Sequence, residues 1–261
     1  MIVVVGTPSF RPPTTSGDGS AGGLAAAIAR AAIAAGGTVQ LVGKIGDDPA
    51  GDAVMLSLGR DRIGHAALLR DPAHPTPTAL APDEYEPSGD LDAPDGLAAA
   101  FDDDDDPSDP RRQRERILPA DPALRPALEA ADVELGLRYV ADFSVLVLAE
   151  PLDADARRVA FEAAAYGQAH VIEIESAGSS ASAGSSASAA PTGHLAMDVA
   201  PAAPQPTPAT ALTAFEAPDD DPEGAFAVLI GGYAAALDAG RDPRAAFAEA
   251  SRSGGWEPAA T

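Results

Sequence analysis

Along most of this chain, short runs of β-branched residues alternate with alanine-rich stretches of helical period, the pattern of a parallel sheet covered by helices. Residues 2–5 (IVVV) form an unbroken apolar run closed by Gly6 and Pro8, which predicts a buried, central strand. Residues 11–21 (RPPTTSGDGSA) read as turn formers. Residues 23–35 place Leu24, Ala27, Ile28, Ala31 and Ala35 at helical spacing before Gly36-Gly37 stops the helix. A second strand is predicted over 38–45. In the following GDDPAGD run, Asp47, Asp48 and Pro49 take capping positions at the start of the next helix.

Farther along, helices are predicted over 123–131, 154–166, 223–239 and 242–251, and strands over 144–148 and 170–174. The 223–239 helix is expected to present Ala225, Leu229, Gly232 and Ala236 on one face. Two stretches fall outside this rhythm. Residues 71–116 are rich in proline and aspartate, with Asp102 to Asp106 consecutive, and read as a lid or mobile acidic insertion. Within it only 78–81 and 97–101 could be short strands. Residues 176–210 begin with a repeated SAGSSA hexamer and read as a low-complexity linker. The expectation is one α/β domain over 1–261.

Charge changes the picture in two ways. The chain has 261 residues with 17 basic and 40 acidic side chains, a formal charge of −23. Nucleic acid and anionic membranes need a basic surface, and the largest basic cluster is Arg111, Arg112, Arg114 and Arg116 beside an aspartate run, so neither is an expected partner. Lys44 is the only lysine. Abundant aspartate with almost no lysine suits molar salt, where self-repulsion is screened, and predicts a halophilic protein. There is no cysteine, hence no disulfide and no thiolate chemistry. Residues 2–5 lack the basic flank and length of a signal peptide, so a cytoplasmic protein is expected.

Candidate chemistry is narrow. Gly17, Gly19 and Gly22 match GxGxxG ahead of a helix, but they stand far from the end of the first strand, and Gly43-Lys44 replaces the acid that would bind a ribose. No GxxxxGK[ST] loop and no GxSxG elbow occur. His65, His74, His170 and His194 lie far apart, so no metal site is expected.

Read in order, the pieces carry a more specific pattern. Gly22-Gly23, a small-residue helix, and then GKIGDDPAGD over 43–52 resemble the N-terminal signature of the PfkB-type carbohydrate kinases, the ribokinase-like family. Residues 147–152 (VLAEPL) look like that family's central β/α unit, and Gly224-Ala225-Phe226 with two closing helices is similar to its C-terminal end. The resemblance covers residues 1–70, 117–175 and 215–252. It implies a three-layer α/β sandwich around a mostly parallel sheet, with a reduced β lid and a shortened nucleotide region.

It also implies ATP- and Mg²⁺-dependent phosphoryl transfer to a hydroxyl of a sugar or nucleoside, by a monomer or homodimer. Asp18, Gly22 and Gly23 would bind substrate, and Gly224 and Ala225 the nucleotide. The chain departs from the family at its Gly-Ala-Gly-Asp turn. Here the turn reads Asp221-Pro222-Glu223-Gly224, with glycine where the catalytic aspartate would stand and with proline, which has no amide to donate. A one-residue slip makes Glu223 the candidate base. The asparagine expected in the first helix falls on Ala27, and Thr7-Pro8-Ser9 stands where an aspartate is expected. A non-catalytic binding or partner subunit on the same scaffold is the alternative.

Overall fold

The computed structural model describes residues 1–13, 18–80, 116–140, 142–175, 211–218 and 224–253. The acidic stretch 81–115, the linker 176–210 and Glu223 therefore lie outside the described residues, as does the possible strand over 97–101.

Six parallel strands form the main sheet: β1 (Ile2–Val5), β4 (Val39–Gly46), β5 (Gly64–Asp71), β8 (Val145–Leu148), β9 (His170–Glu175) and β10 (Leu212–Glu216). Their order is β10-β9-β8-β1-β4-β5. All four residues of β1 are fully buried, as expected of a strand covered on both faces. On one face lie α1 (Gly23–Ala34), α2 (Pro49–Arg60), α5 (Ala225–Asp238) and α6 (Pro243–Ser253), packed around Ile28, Val54, Leu58, Leu229 and Tyr233. On the other face α3 (Ala130–Tyr139) and α4 (Ala154–Gly167) pack around Val133, Leu137, Ala156, Ala160 and Ala164. This is the three-layer arrangement anticipated from the sequence. No helix among the described residues is long and apolar enough to cross a membrane.

A second sheet, order β3-β2-β6-β7, is built from β2 (Ser9–Arg11), β3 (Ser20–Gly22), β6 (Thr78–Leu80) and β7 (Arg116–Leu118). Residues 11–21, read as turn formers, thus supply the end of one strand and most of another. The possible short strand over 78–81 is present as β6, whereas β2, β3 and β7 were not anticipated, since three-residue strands carry almost no periodicity.

Other expectations shift. The helix expected over 123–131 is a 3-10 turn at Pro122–Leu124, and α3 begins only at Ala130. Pro126 cannot occupy a helix interior, and Glu129 with Asp132 forms a capping box that sets the later start. Strands β5 and β10 stand where none was predicted. The buried face of α5 is carried by Phe226, Leu229, Ile230 and Tyr233, while Ala225, Gly232 and Ala236 are only half-buried. Being apolar almost all round, α5 is covered by α1, α6 and the sheet rather than on one stripe.

Candidate binding site at the carboxyl edge of the sheet

From β1 the chain winds outward through β4 and β5, then returns to place β8, β9 and β10 on the other side of β1. The reversal between β1 and β8 opens a crevice beyond their carboxyl ends, the usual place for a ligand in an open α/β sheet. Small residues line it. The Gly6 amide donates to Val42 O at 3.0 Å and the Ala149 amide to Val5 O at 2.8 Å, extending the strand pairing beyond both strand ends. A Cβ on Gly6 would lie 3.0 Å from that of Ala25 and 3.2 Å from that of Ala149, and one on Gly43 only 2.5 Å from Gly6 O. The crevice floor therefore requires glycine at 43 and leaves little room for a side chain at 6.

Two polar side chains meet above this floor. Thr7, just past β1, donates through Oγ1 to Glu150 Oε1 at 2.9 Å, and Glu150 lies just past β8. Burial pushes the Glu150 carboxyl above the usual range, and the Thr7 hydrogen bonds only partly offset this. The VLAEPL segment is legible in the sequence as a β/α unit, but nothing in it marks Glu150 as a site residue. Its signal was an acid immediately after a fully apolar strand, which becomes informative only once the strand order places it at the crevice.

Thr7 also reaches the double glycine, since a Cβ on Gly23 would lie 3.6 Å from Thr7 O. Gly23 adopts φ +80°, a conformation open to glycine at little cost, and Gly22 caps α1 without a side-chain hydrogen bond. The first amides of a 12-residue helix thus face the crevice with no side-chain cap. Ser9 is buried beside them, with Oγ 2.8 Å from where a Gly22 Cβ would stand, and this hydroxyl has no partner among the described residues.

The other expected substrate residue, Asp18, is 80% exposed, and its carboxylate pairs with Arg60 at the end of α2, 3.0 Å away. It is not joined to the Thr7–Glu150 pair. At the start of α5, Gly224 adopts φ +68° and caps the helix without a side chain, ahead of Ala225. A Cβ at Gly224 would meet nothing within 4 Å among the described residues. Helices α1 and α5 run in the same direction, because Gly231 abuts Ala31 and Ala32 while Ala235 lies beside Gly37. Both amino-terminal ends therefore lie at the carboxyl edge of the sheet, where the helix dipoles place partial positive charge. No cluster of three histidines or carboxylates able to hold a metal ion occurs among the described residues.

Gly43, Lys44 and Asp48 of the GKIGDD run each serve the fold. Gly43 permits the close approach to Gly6, and Lys44 pairs with Asp132 of α3 at 2.8 Å. The hydrogen bond and charge of Asp132 hold the Lys44 ammonium above its usual range against the opposing effect of burial. Asp48 caps α2 by accepting from the Gly51 amide at 2.8 Å, with Pro49 at the first helical position.

A family model described as pfkB family carbohydrate kinase matches residues 14–102. Among solved structures, Sa239 aligns over 99% of this chain and 95% of its own at 12% identity, with a TM-score of 0.57. A putative ribokinase II from E. coli, in its apo form, aligns over 97% of this chain and 91% of its own at 12% identity, with a TM-score of 0.57. The same putative ribokinase II in complex with ATP and Mg²⁺ gives 0.55. An uncharacterized sugar kinase from Pyrococcus horikoshii, at 13% identity and a TM-score of 0.41, is matched over 66% of this chain and 52% of its own, so the chain spans about half of that relative. No curated protein matches the chain.

Proposed function

We propose that the chain is a relative of the pfkB-family carbohydrate kinases, a reading supported by its match over residues 14–102 and by its ribokinase-like fold, and that it binds a sugar or nucleoside at the carboxyl edge of its sheet and transfers a phosphoryl group to one of its hydroxyls. The observation that carries this reading is the Thr7–Glu150 pair at the β1/β8 crevice, beside the uncapped start of α1 at Gly22-Gly23. Glu150 offers acceptors to substrate hydroxyls, and Ser9 Oγ and the α1 amides offer donors. A polyol, which both donates and accepts at every hydroxyl, satisfies such a mixed set.

By the family resemblance Gly224 and Ala225, at the amino-terminal end of α5, would hold the nucleotide. ATP with Mg²⁺ would supply the transferable phosphoryl group. Glu223, adjoining Gly224 in sequence, is the candidate acceptor of the hydroxyl proton. The partners proposed are a small sugar or nucleoside and ATP, in a cytoplasmic monomer or homodimer.

A second reading keeps binding without turnover. It is favoured by Gly224 itself, which stands where the family resemblance requires the catalytic aspartate. Calorimetric titration with ATP and with a panel of pentoses, hexoses and nucleosides in molar KCl, paired with an ADP-release assay, decides between them. Phosphotransfer lost in Glu223→Gln and weakened in Glu150→Gln supports the first reading. Sugar binding without ADP release supports the second, and absence of both ligands' binding at millimolar concentration overturns both.

A further inference from the structure

The small sheet reaches the main body through α2, and the contacts there are specific. Thr76 lies two residues before β6 and is 3% exposed. Its Oγ1 donates to Asp48 Oδ1 at 2.7 Å and accepts from the Gly46 amide at 2.9 Å, while its own amide donates to Asp48 Oδ2 at 2.8 Å. Asp48 is also the cap of α2. One carboxylate therefore fastens the start of a helix and the entry to the small sheet together. There is no slack around it: a Cβ on Gly46 would collide with Thr76 N, and one on Gly51 with Gly46 O.

The same helix holds the other side of the sheet. Ser57 Oγ accepts from the Ala21 amide of β3 at 2.9 Å, and both residues are buried. Arg60 reaches Asp18 at 3.0 Å and Gly19 O at 3.4 Å in the approach to β3. Beyond Thr76, Pro77 O accepts from the Phe10 amide at 2.6 Å, which carries the fastening into β2, whose first residue is Ser9.

We propose that the Asp48–Thr76 pin makes α2 the fixed mount of the small sheet, so that Ser9 is held against Gly22-Gly23 before any ligand is present. Asp48 and Thr76 are then positioning residues of the binding wall. That the wall faces a sugar rests on the function proposed above; the mounting does not. The hydrogen bonds that pull the Asp48 carboxyl below its usual range, against the opposing effect of burial, agree with an ionised pin at neutral pH.

Hydrogen exchange followed by mass spectrometry on the full chain, with no ligand added, tests the mounting. Thr76→Val keeps the shape and removes both side-chain bonds, whereas Thr76→Ser keeps the hydroxyl. In the valine variant, peptides covering 9–11, 20–22 and 78–80 are expected to exchange at least about tenfold faster, while β1 and β8 stay as protected as in the parent. The serine variant restores the parent rates. Unchanged rates in the small sheet, or equal acceleration in β1 and β8, overturn the inference. Should the valine variant fail to fold, Ser57→Ala, which releases Ala21 from α2, gives the same readout over 20–22 with the same overturning outcomes. None of these outcomes depends on turnover, so a failed phosphotransfer assay leaves this test intact.

Discussion

Glu150 and His170 are both titratable groups set among apolar strands, and they respond to pH in opposite ways. Burial raises the Glu150 carboxyl, so the folded chain holds that proton more tightly than the unfolded chain does. The group costs stability as pH rises above the unfolded carboxyl range near about 4.3, and the cost vanishes below it. Glu150→Gln, which still accepts from Thr7 but does not ionise, is expected to raise the melting temperature at pH 7. The gain should shrink toward pH 4; a lower melting temperature across that whole range contradicts the assignment. His170 sits in a chain in which Nε2 meets Thr213 Oγ1 at 2.9 Å and Thr213 meets the Tyr233 hydroxyl at 3.1 Å. Burial lowers its pKa, so its stability contribution is present above the unfolded value near about 6.5 and is lost as pH falls below it. Acid titration followed by circular dichroism should show a loss beginning near pH 6.5 that His170→Gln removes. Neither role was legible in the sequence, where Glu150 was one acid among 40 acidic residues and His170 one of four scattered histidines.

Helix packing gives sharper expectations. The crossing of α5 on α1 is made at Gly231, where a Cβ would stand 2.5 Å from Ala31 Cβ and 2.6 Å from Ala32 N. Gly231→Ala must push two helices apart and should cost about 1–3 kcal/mol by urea denaturation. Its neighbour Gly232 has Ala250 Cβ at an ordinary 3.7 Å, so Gly232→Ala should be neutral or stabilise by up to about 1 kcal/mol through helix propensity. Equal effects at the two positions would contradict the crossing. At the start of α5, Gly224→Asp restores the carboxylate of the family pattern at a position free of contacts among the described residues. Its φ of +68° makes it cost about 1–2 kcal/mol, and under the phosphotransfer reading ADP release should rise about tenfold or more. At this scale the sequence was most readable: β1, α1, α4 and α5 lie within two residues of where periodicity and glycine stops put them. It failed where a proline overrode alanine content, at α3, and where strands were too short or too irregular to show a period.

For the whole molecule the decisive quantity is the formal charge of −23. Several arginines on the described surface are engaged by acids, as Arg70 is by Asp47 and Asp52, Arg158 by Glu162, and Arg241 by Glu249. With 40 acidic residues against 17 basic ones, pairing cannot neutralise the surface. Raising KCl from about 0.1 M to about 1 M shortens the screening length from about 10 Å to about 3 Å, which relieves repulsion among unpaired carboxylates. The proposed halophilic character therefore predicts a melting temperature that climbs by several degrees over that range and shows no maximum at low salt. A flat or falling curve would argue for an ordinary acidic protein.

The order of apolar strands and alanine-rich helices by itself determined a parallel α/β sheet with β1 inside it, because burial on both faces writes an unbroken apolar run whatever the neighbours. It also determined the caps, since Asp48, Pro49 and Gly36 act within one turn of chain. Only the tertiary structure decided that β8 returns to the far side of β1. That reversal brings Thr7 and Glu150, 143 residues apart, to one hydrogen bond, while the pairing of β4 with β5 lets Asp48 close on Thr76. Local periodicity carries no record of strand order, and the site is made by strand order.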